Sequence, residues 1–188
     1  MFYSCRQSFD VNDHAALLPQ WEQRYEQVSA GSFQGRLETL SLGTAQLFRE
    51  TTDQAVLQTG RARPGSVTLG VPIGAGGEAW YLGRHLKRGQ PLAVVAGQDF
   101  ELASRGSFDV VAISVDMGEL SDHALRVNGQ PFDASEHGGA LFQDDEHSQA
   151  LAALVLDTLA AARTDAGPLS QAPAQRVLKQ AMFDTMLC

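Results

Sequence analysis

Six residues, Gly74-Ala75-Gly76-Gly77-Glu78-Ala79, fit the pattern G-x-G-x-x-A with which some proteins cradle a dinucleotide pyrophosphate. That chemistry needs a helix to open at the glycines, so that its N-terminus faces the phosphates. Trp80-Tyr81-Leu82 follows instead and is strand-like, so the glycines are expected to form a hairpin turn. No Lys-Ser or Lys-Thr pair follows, which excludes a P-loop reading.

The five histidines are His14, His85, His123, His137 and His147. None belongs to an H-x-H pair or to an H-E-x-x-H helix, the spacings that place two imidazoles on one metal. Asp144-Asp145-Glu146-His147 is acidic enough to suggest a metal, but it stands at a helix start, where carboxylates cap N–H groups and meet the helix dipole. Cys5 and Cys188 have no nearby histidine to make a thiolate nucleophile, and no G-x-S-x-G elbow is present. The chain is expected to be no enzyme, with no metal and no cofactor.

Four residues are candidates for holding a ligand. Arg49 shares strand parity with Ala45 and Leu47, an otherwise apolar face. On an inward face its guanidinium needs an anion, such as a ligand carboxylate or phosphate. On an outward face it pairs with Glu50 or another acid, which is the stronger reading. Trp80 and Tyr81 alternate, so only one of them looks inward. Trp21 and Tyr25 share a face if their segment is extended. Aromatic walls suit small apolar or cationic ligands, and they fill cores more often than they bind anything.

These side chains need a scaffold, and the periodicity supplies one. Asp10 caps a short helix over residues 11–18, stopped by Pro19. Brief alternating stretches follow at 21–28, 33–42, 45–51 and 55–57, broken by Gly, Asp and Pro. Phe33 and Leu37 have one parity, Leu40 and Leu42 the other, which predicts a bulge that curls the sheet. Val67, Leu69, Val71 and Ile73 alternate most cleanly. Further strands are expected at 78–82, 92–96, around Phe100 and Leu102, and at 108–115. Short strands at this spacing predict a sandwich or barrel. Helices are expected at 117–127, from Asp144 or Asp145 to Ala162, and at 174–187, with loop at 129–139 and a linker at 164–173.

The composition is that of a globular protein: 188 residues, 44% hydrophobic and 19% charged. A net charge of −8 disfavours a direct grip on nucleic-acid phosphates, which needs clustered Lys and Arg. Two cysteines at the extreme ends make no disulfide framework and fit a reducing cytoplasm. No apolar run nears the roughly 20 residues that span a bilayer, so no membrane partner is expected. The opening MFYSCRQSFD lacks the pattern of a secretory signal.

Three segments, DVNDHAALLPQWEQRYEQVSAGSFQG, LGTAQLFRETTDQAV and PGSVTLGVPI, resemble the effector-sensing domain of AraC/XylS-type transcription regulators, nearest to the ethanolamine-operon regulator subgroup. The resemblance spans about residues 8–120. It implies a mainly β fold with C-terminal helices: a cupin-like, jelly-roll barrel that senses a small-molecule effector, followed by an α-helical dimerisation segment. It divides the chain into a sensor at 1–125, a helical dimerisation segment at 126–163, and a linker with the start of a DNA-binding domain at 164–188. QRVLKQAMFDTML looks like the first helix of that domain, whose helix-turn-helix motifs the sequence does not contain. DNA would therefore be bound only through a part absent here.

A homodimer interface is expected on the stripe Leu151, Leu154 and Leu159, or else that stripe packs on its own barrel. Two alternatives to the sensor remain open: a metal-dependent cupin enzyme, which the missing ligand set opposes, and a ligand-free dimerisation module with a filled barrel.

Overall fold

A computed structural model describes residues 1–74, 76–133 and 146–187. Eleven strands are described: β1 (Phe2–Ser8), β2 (Glu22–Gln27), β3 (Gly35–Leu42), β4 (Ala45–Thr52), β5 (Val56–Arg61), β6 (Ser66–Pro72), β7 (Ala79–Tyr81), β8 (Arg84–Leu86), β9 (Leu92–Val95), β10 (Asp99–Ser104) and β11 (Phe108–Asp116). The helices are α1 (Val11–Ala15), α2 (Met117–Asn128), α3 (Glu146–Thr164), α4 (Gly167–Ser170) and α5 (Ala172–Leu187).

The strands form two antiparallel sheets, ordered β1-β3-β4-β11-β6-β9 and β2-β5-β10-β7-β8. The sheets share a core in which Tyr81, Phe100 and Leu102 of the second meet Leu92, Val94 and Val110 of the first. The fold is mainly β with C-terminal helices and is cupin-like, as expected. Its hydrogen-bond ladders make two facing sheets rather than one closed barrel.

The outer face of the first sheet is not solvated. Leu40, Leu42, Leu47, Val111 and Ile113 pack there against Leu151, Val155 and Leu159 of α3 and Leu178 and Met182 of α5. This sheet is buried on both faces, and that explains two departures from the sequence reading. β3 holds an unbroken register with β4, from Gly35 opposite Thr52 to Leu42 opposite Ala45, so it contains no bulge. Its change of apolar parity arises because Leu37 faces the other sheet while Leu40 and Leu42 face the helices. β1 was not foreseen, because FYSCRQS is a polar edge strand with little apolar alternation.

Polar contacts fix the helices in place. Asp10 caps α1 by accepting from the N–H groups of Asn12 and Asp13, as expected, but the helix ends at Ala15. Glu38, buried on β3, accepts from Arg163 Nη2 at 2.7 Å and from Tyr3 Oη at 2.7 Å, clamping the end of α3 to the sheet. His123 Nε2 meets Asp184 Oδ1 at 2.7 Å, and Lys179 pairs with Glu119; both contacts join α2 to α5. The expected linker contains α4, and α5 begins two residues earlier than foreseen. Asp144 and Asp145, expected to cap α3, lie outside the described residues together with His137, Ala75 and Cys188. Among the described residues no helix is long and apolar enough to cross a membrane.

Candidate functional site

The inner face between the sheets contains a chamber of about 50 Å³, walled by Trp21, Tyr25, Phe48, Tyr81 and Phe100, with Gln58 and Glu50 among its polar members. Trp21 stands edge-on to both Phe48 and Phe100, with ring centroids 6.2 and 5.9 Å apart. The Tyr81 phenol donates to Ala93 O at 2.6 Å, and burial pushes its pKa up to about 12. Gln58 is only 6% exposed, and its amide makes no hydrogen bond among the described residues. The Trp21 indole N–H is also buried without a partner among the described residues.

One wall is a polar network that crosses four elements. Glu50 Oε1 accepts from the Tyr25 hydroxyl at 2.8 Å and from His14 Nε2 at 3.0 Å. In the neutral ring His14 Nδ1 then accepts from Ser8 Oγ, 2.6 Å away. Burial, followed by the charge of Glu50 and its hydrogen bond, holds the Tyr25 pKa well above the ordinary phenol range. The phenol therefore remains a donor to the carboxylate. Gly35 makes room for this network, because a Cβ there would lie 2.4 Å from the His14 ring. The network binds α1 to β1, β2 and β4, and so sets where the chain leads into Leu18 and Trp21.

Of the four candidate ligand residues, Trp21 and Tyr25 do line the chamber. Arg49 does not. Its face is the outer one, covered by the helices, and its guanidinium forms a two-pronged pair with Asp109 at 3.0 and 2.7 Å. That pair raises the Arg49 pKa. Trp80 also points away from the chamber. It lies edge-on to His85, with the Arg105 guanidinium 4.9 Å from its ring, while Tyr81 takes the inward position. The sequence reading overlooked Glu50, His14, Ser8 and Gln58. An acid at the parity of Phe48, inside an apolar strand, was the available signal for Glu50.

The glycine motif does not open a helix, as expected, but it is not a hairpin turn either: it carries the chain from β6 in the first sheet to β7 in the second, and the two strands do not pair. Gly76 and Gly77 are required by close packing: a Cβ on either would come within 2.6 Å of Ser107 O and 2.7 Å of Arg105 O respectively. The dimerisation stripe is divided. Leu151 and Leu159 are buried against the chain's own sheet, and Leu154 is half-buried at the rim of that core. Among the described residues no three His, Cys, Asp or Glu side chains gather as a metal cluster.

No protein-family model matches the chain. Among solved structures, the AraC-like transcriptional activator CuxR superposes with a TM-score of 0.67 at 12% identity, covering 98% of this chain and 69% of that one. An HTH_3 family transcriptional regulator from Vibrio cholerae gives 0.37 at 11% identity, over 43% of this chain and 50% of its own. A predicted oxalate decarboxylase from Thermotoga maritima gives 0.32 at 14% identity, over 52% and 94%. At scores this low the last two superpositions say nothing about this chain. The first establishes a shared fold.

Proposed function

We propose that this chain is the effector-sensing and dimerisation domain of an AraC-type transcription regulator, nearest to the ethanolamine-operon subgroup, and that it is not catalytic. The observation that carries the reading is the CuxR-like fold over 98% of the chain, helices included. The chamber between the sheets supports it as the effector's destination. A chamber of about 50 Å³ holds one or two waters, so an effector must enlarge it, and Leu18 and Trp21 are among the lining residues that would have to move. The helices pack on the reverse side of the same sheet, which gives occupancy a route to α3 and α5. Regulation then requires that the effector bind one helix arrangement better than the other. DNA binding belongs to a segment beyond these 188 residues.

The test is operator affinity of the full regulator, with and without candidate small molecules, for the wild type and for Gln58→Leu. The expected result is an effector-dependent change in the wild type that Gln58→Leu abolishes, with effector-free affinity unchanged. A response indifferent to that substitution would refute the chamber as the sensing site. The small chamber favours a second reading, a ligand-free dimerisation module, which predicts no response to any small molecule.

Dimerisation through α3 would use Leu154, the accessible member of the stripe. Leu154→Glu is expected to give monomers by light scattering, with thermal stability near wild type. A variant that remains dimeric would move the interface elsewhere.

A further inference from the structure

Beside the chamber, on the same inner face, lies an open cleft of about 180 Å³. β1 and β3 build its wall in register: Arg6 lies opposite Leu37, Ser4 opposite Thr39, and Phe2 opposite Ser41. Leu17, Leu18 and Trp21 close it from the connection between α1 and β2. Leu18 and Trp21 line both spaces, so they form the partition between cleft and chamber.

Three features of the cleft lack a partner among the described residues. Thr39 is 8% exposed, and its hydroxyl makes no hydrogen bond among the described residues. The Trp21 indole N–H is buried and unpaired. Arg6 forms no ion pair with any described residue. Glu50, the acid on the same cross-strand row as Arg6 and Leu37, is already held by Tyr25 and His14. Of the three, only the Trp21 indole N–H is a buried unpaired group; such a group costs about 1–3 kcal/mol, which a ligand that supplies an acceptor recovers.

We propose that this cleft binds a small organic carboxylate with an apolar body. The guanidinium of Arg6 matches a carboxylate in charge and in two-pronged geometry. Thr39 and the indole N–H of Trp21 donate to oxygens on the same molecule. Leu17, Leu18 and Leu37 take the hydrocarbon part. The volume is below the roughly 300 Å³ at which drug-sized pockets begin, so the body is a single ring or a short branched chain. Arg6 is the one cation among the lining residues, which otherwise mix apolar side chains with the neutral polar Ser4, Gln20, Thr39, Ser41 and Gln46, and this suits a single negative charge better than a phosphate ester and repels amines. The inference stands on the cleft alone: carboxylate binding and operator regulation can fail independently.

Trp21 supplies the readout, because the chain has two tryptophans and Trp80 lies outside the cleft. A Trp80→Phe protein is titrated by fluorescence with branched and aromatic carboxylic acids and with their primary amides. The acids are expected to give a saturable change, with the amides about tenfold weaker. Arg6→Gln, at an exposed position, is expected to leave the far-UV spectrum intact and to lower acid affinity about tenfold. It should leave the weak amide binding as it was, whereas Thr39→Val weakens both. The proposal is overturned by no saturable change with any acid into the millimolar range, by acids and amides that bind alike, or by an Arg6→Gln protein that binds acids as well as its parent.

Discussion

Leu159→Glu is expected to detach the C-terminal helices from the first sheet and to lower unfolding stability by about 3–5 kcal/mol. Leu159 is 1% exposed and lies in one core with Val155, Met182 and the outward-facing residues Leu40, Leu47 and Ile113. Losing its burial costs about 2 kcal/mol, and Arg163, one turn further along α3, is already held by Glu38, so the introduced carboxylate must compete for it. Domains of this size are stable by only about 5–15 kcal/mol, so the substitution removes a large share of the total. Urea unfolding followed by near-UV circular dichroism measures the loss, and binding of an apolar dye reports the uncovered sheet. Leu154→Glu, at the rim of the same helix, is expected to shift the urea midpoint by less than one third as much. Equal effects from the two variants would mean that α3 does not rest on the sheet as described.

The same packing explains which features the sequence could disclose. Val67 to Ile73 was legible because alternation within one strand is a local property. So were the strand ending at Val115, the helix Met117–Asn128 and the apolar stripe of α3. Inside and outside were not legible. A sheet covered by a second sheet on one face and by helices on the other offers apolar residues at both parities, so parity alone could not tell whether Arg49 looked inward. Asp109, its actual partner, is 60 residues away and comes near only when β11 pairs with β4. Trp80 and Tyr81 present the same difficulty. Alternation placed one of them inside, but it took β9, whose Ala93 carbonyl receives the phenol, to decide for Tyr81. The candidate site was half legible for a related reason. Trp21 and Tyr25 announce themselves as aromatics of one parity four residues apart, whereas Ser8, His14 and Glu50 are ordinary polar residues until two strands and a helix bring them together.

Glu50→Ala is expected to cost about 3 kcal/mol, and Glu50→Gln about 1 kcal/mol, because what the site requires first is an acceptor. Alanine removes the Oε1 that receives both the Tyr25 hydroxyl and His14 Nε2–H, leaving Tyr25 only its longer 3.4 Å bond to Gln23 Oε1 and His14 without that acceptor, beside a newly enlarged chamber. Glutamine keeps one carbonyl oxygen in the same place but gives up the strength that a charged acceptor adds. The effect should reach beyond stability. His14 is the member of α1 that ties the helix to β1 and β4, and three residues later the chain enters the Leu17–Trp21 segment that separates chamber from cleft. Releasing it should loosen that partition, so the fluorescence of Trp21 in a Trp80→Phe background is expected to become more exposed to a soluble quencher in Glu50→Ala than in Glu50→Gln. Chemical unfolding and quenching together separate the alternatives. If both variants were equally unstable, charge rather than acceptor geometry would hold the network. If Glu50→Ala lost stability with no change at Trp21, the partition would be positioned by the packing of Leu18 against Leu37 and Phe48, and the polar network would anchor α1 without controlling access to the chamber.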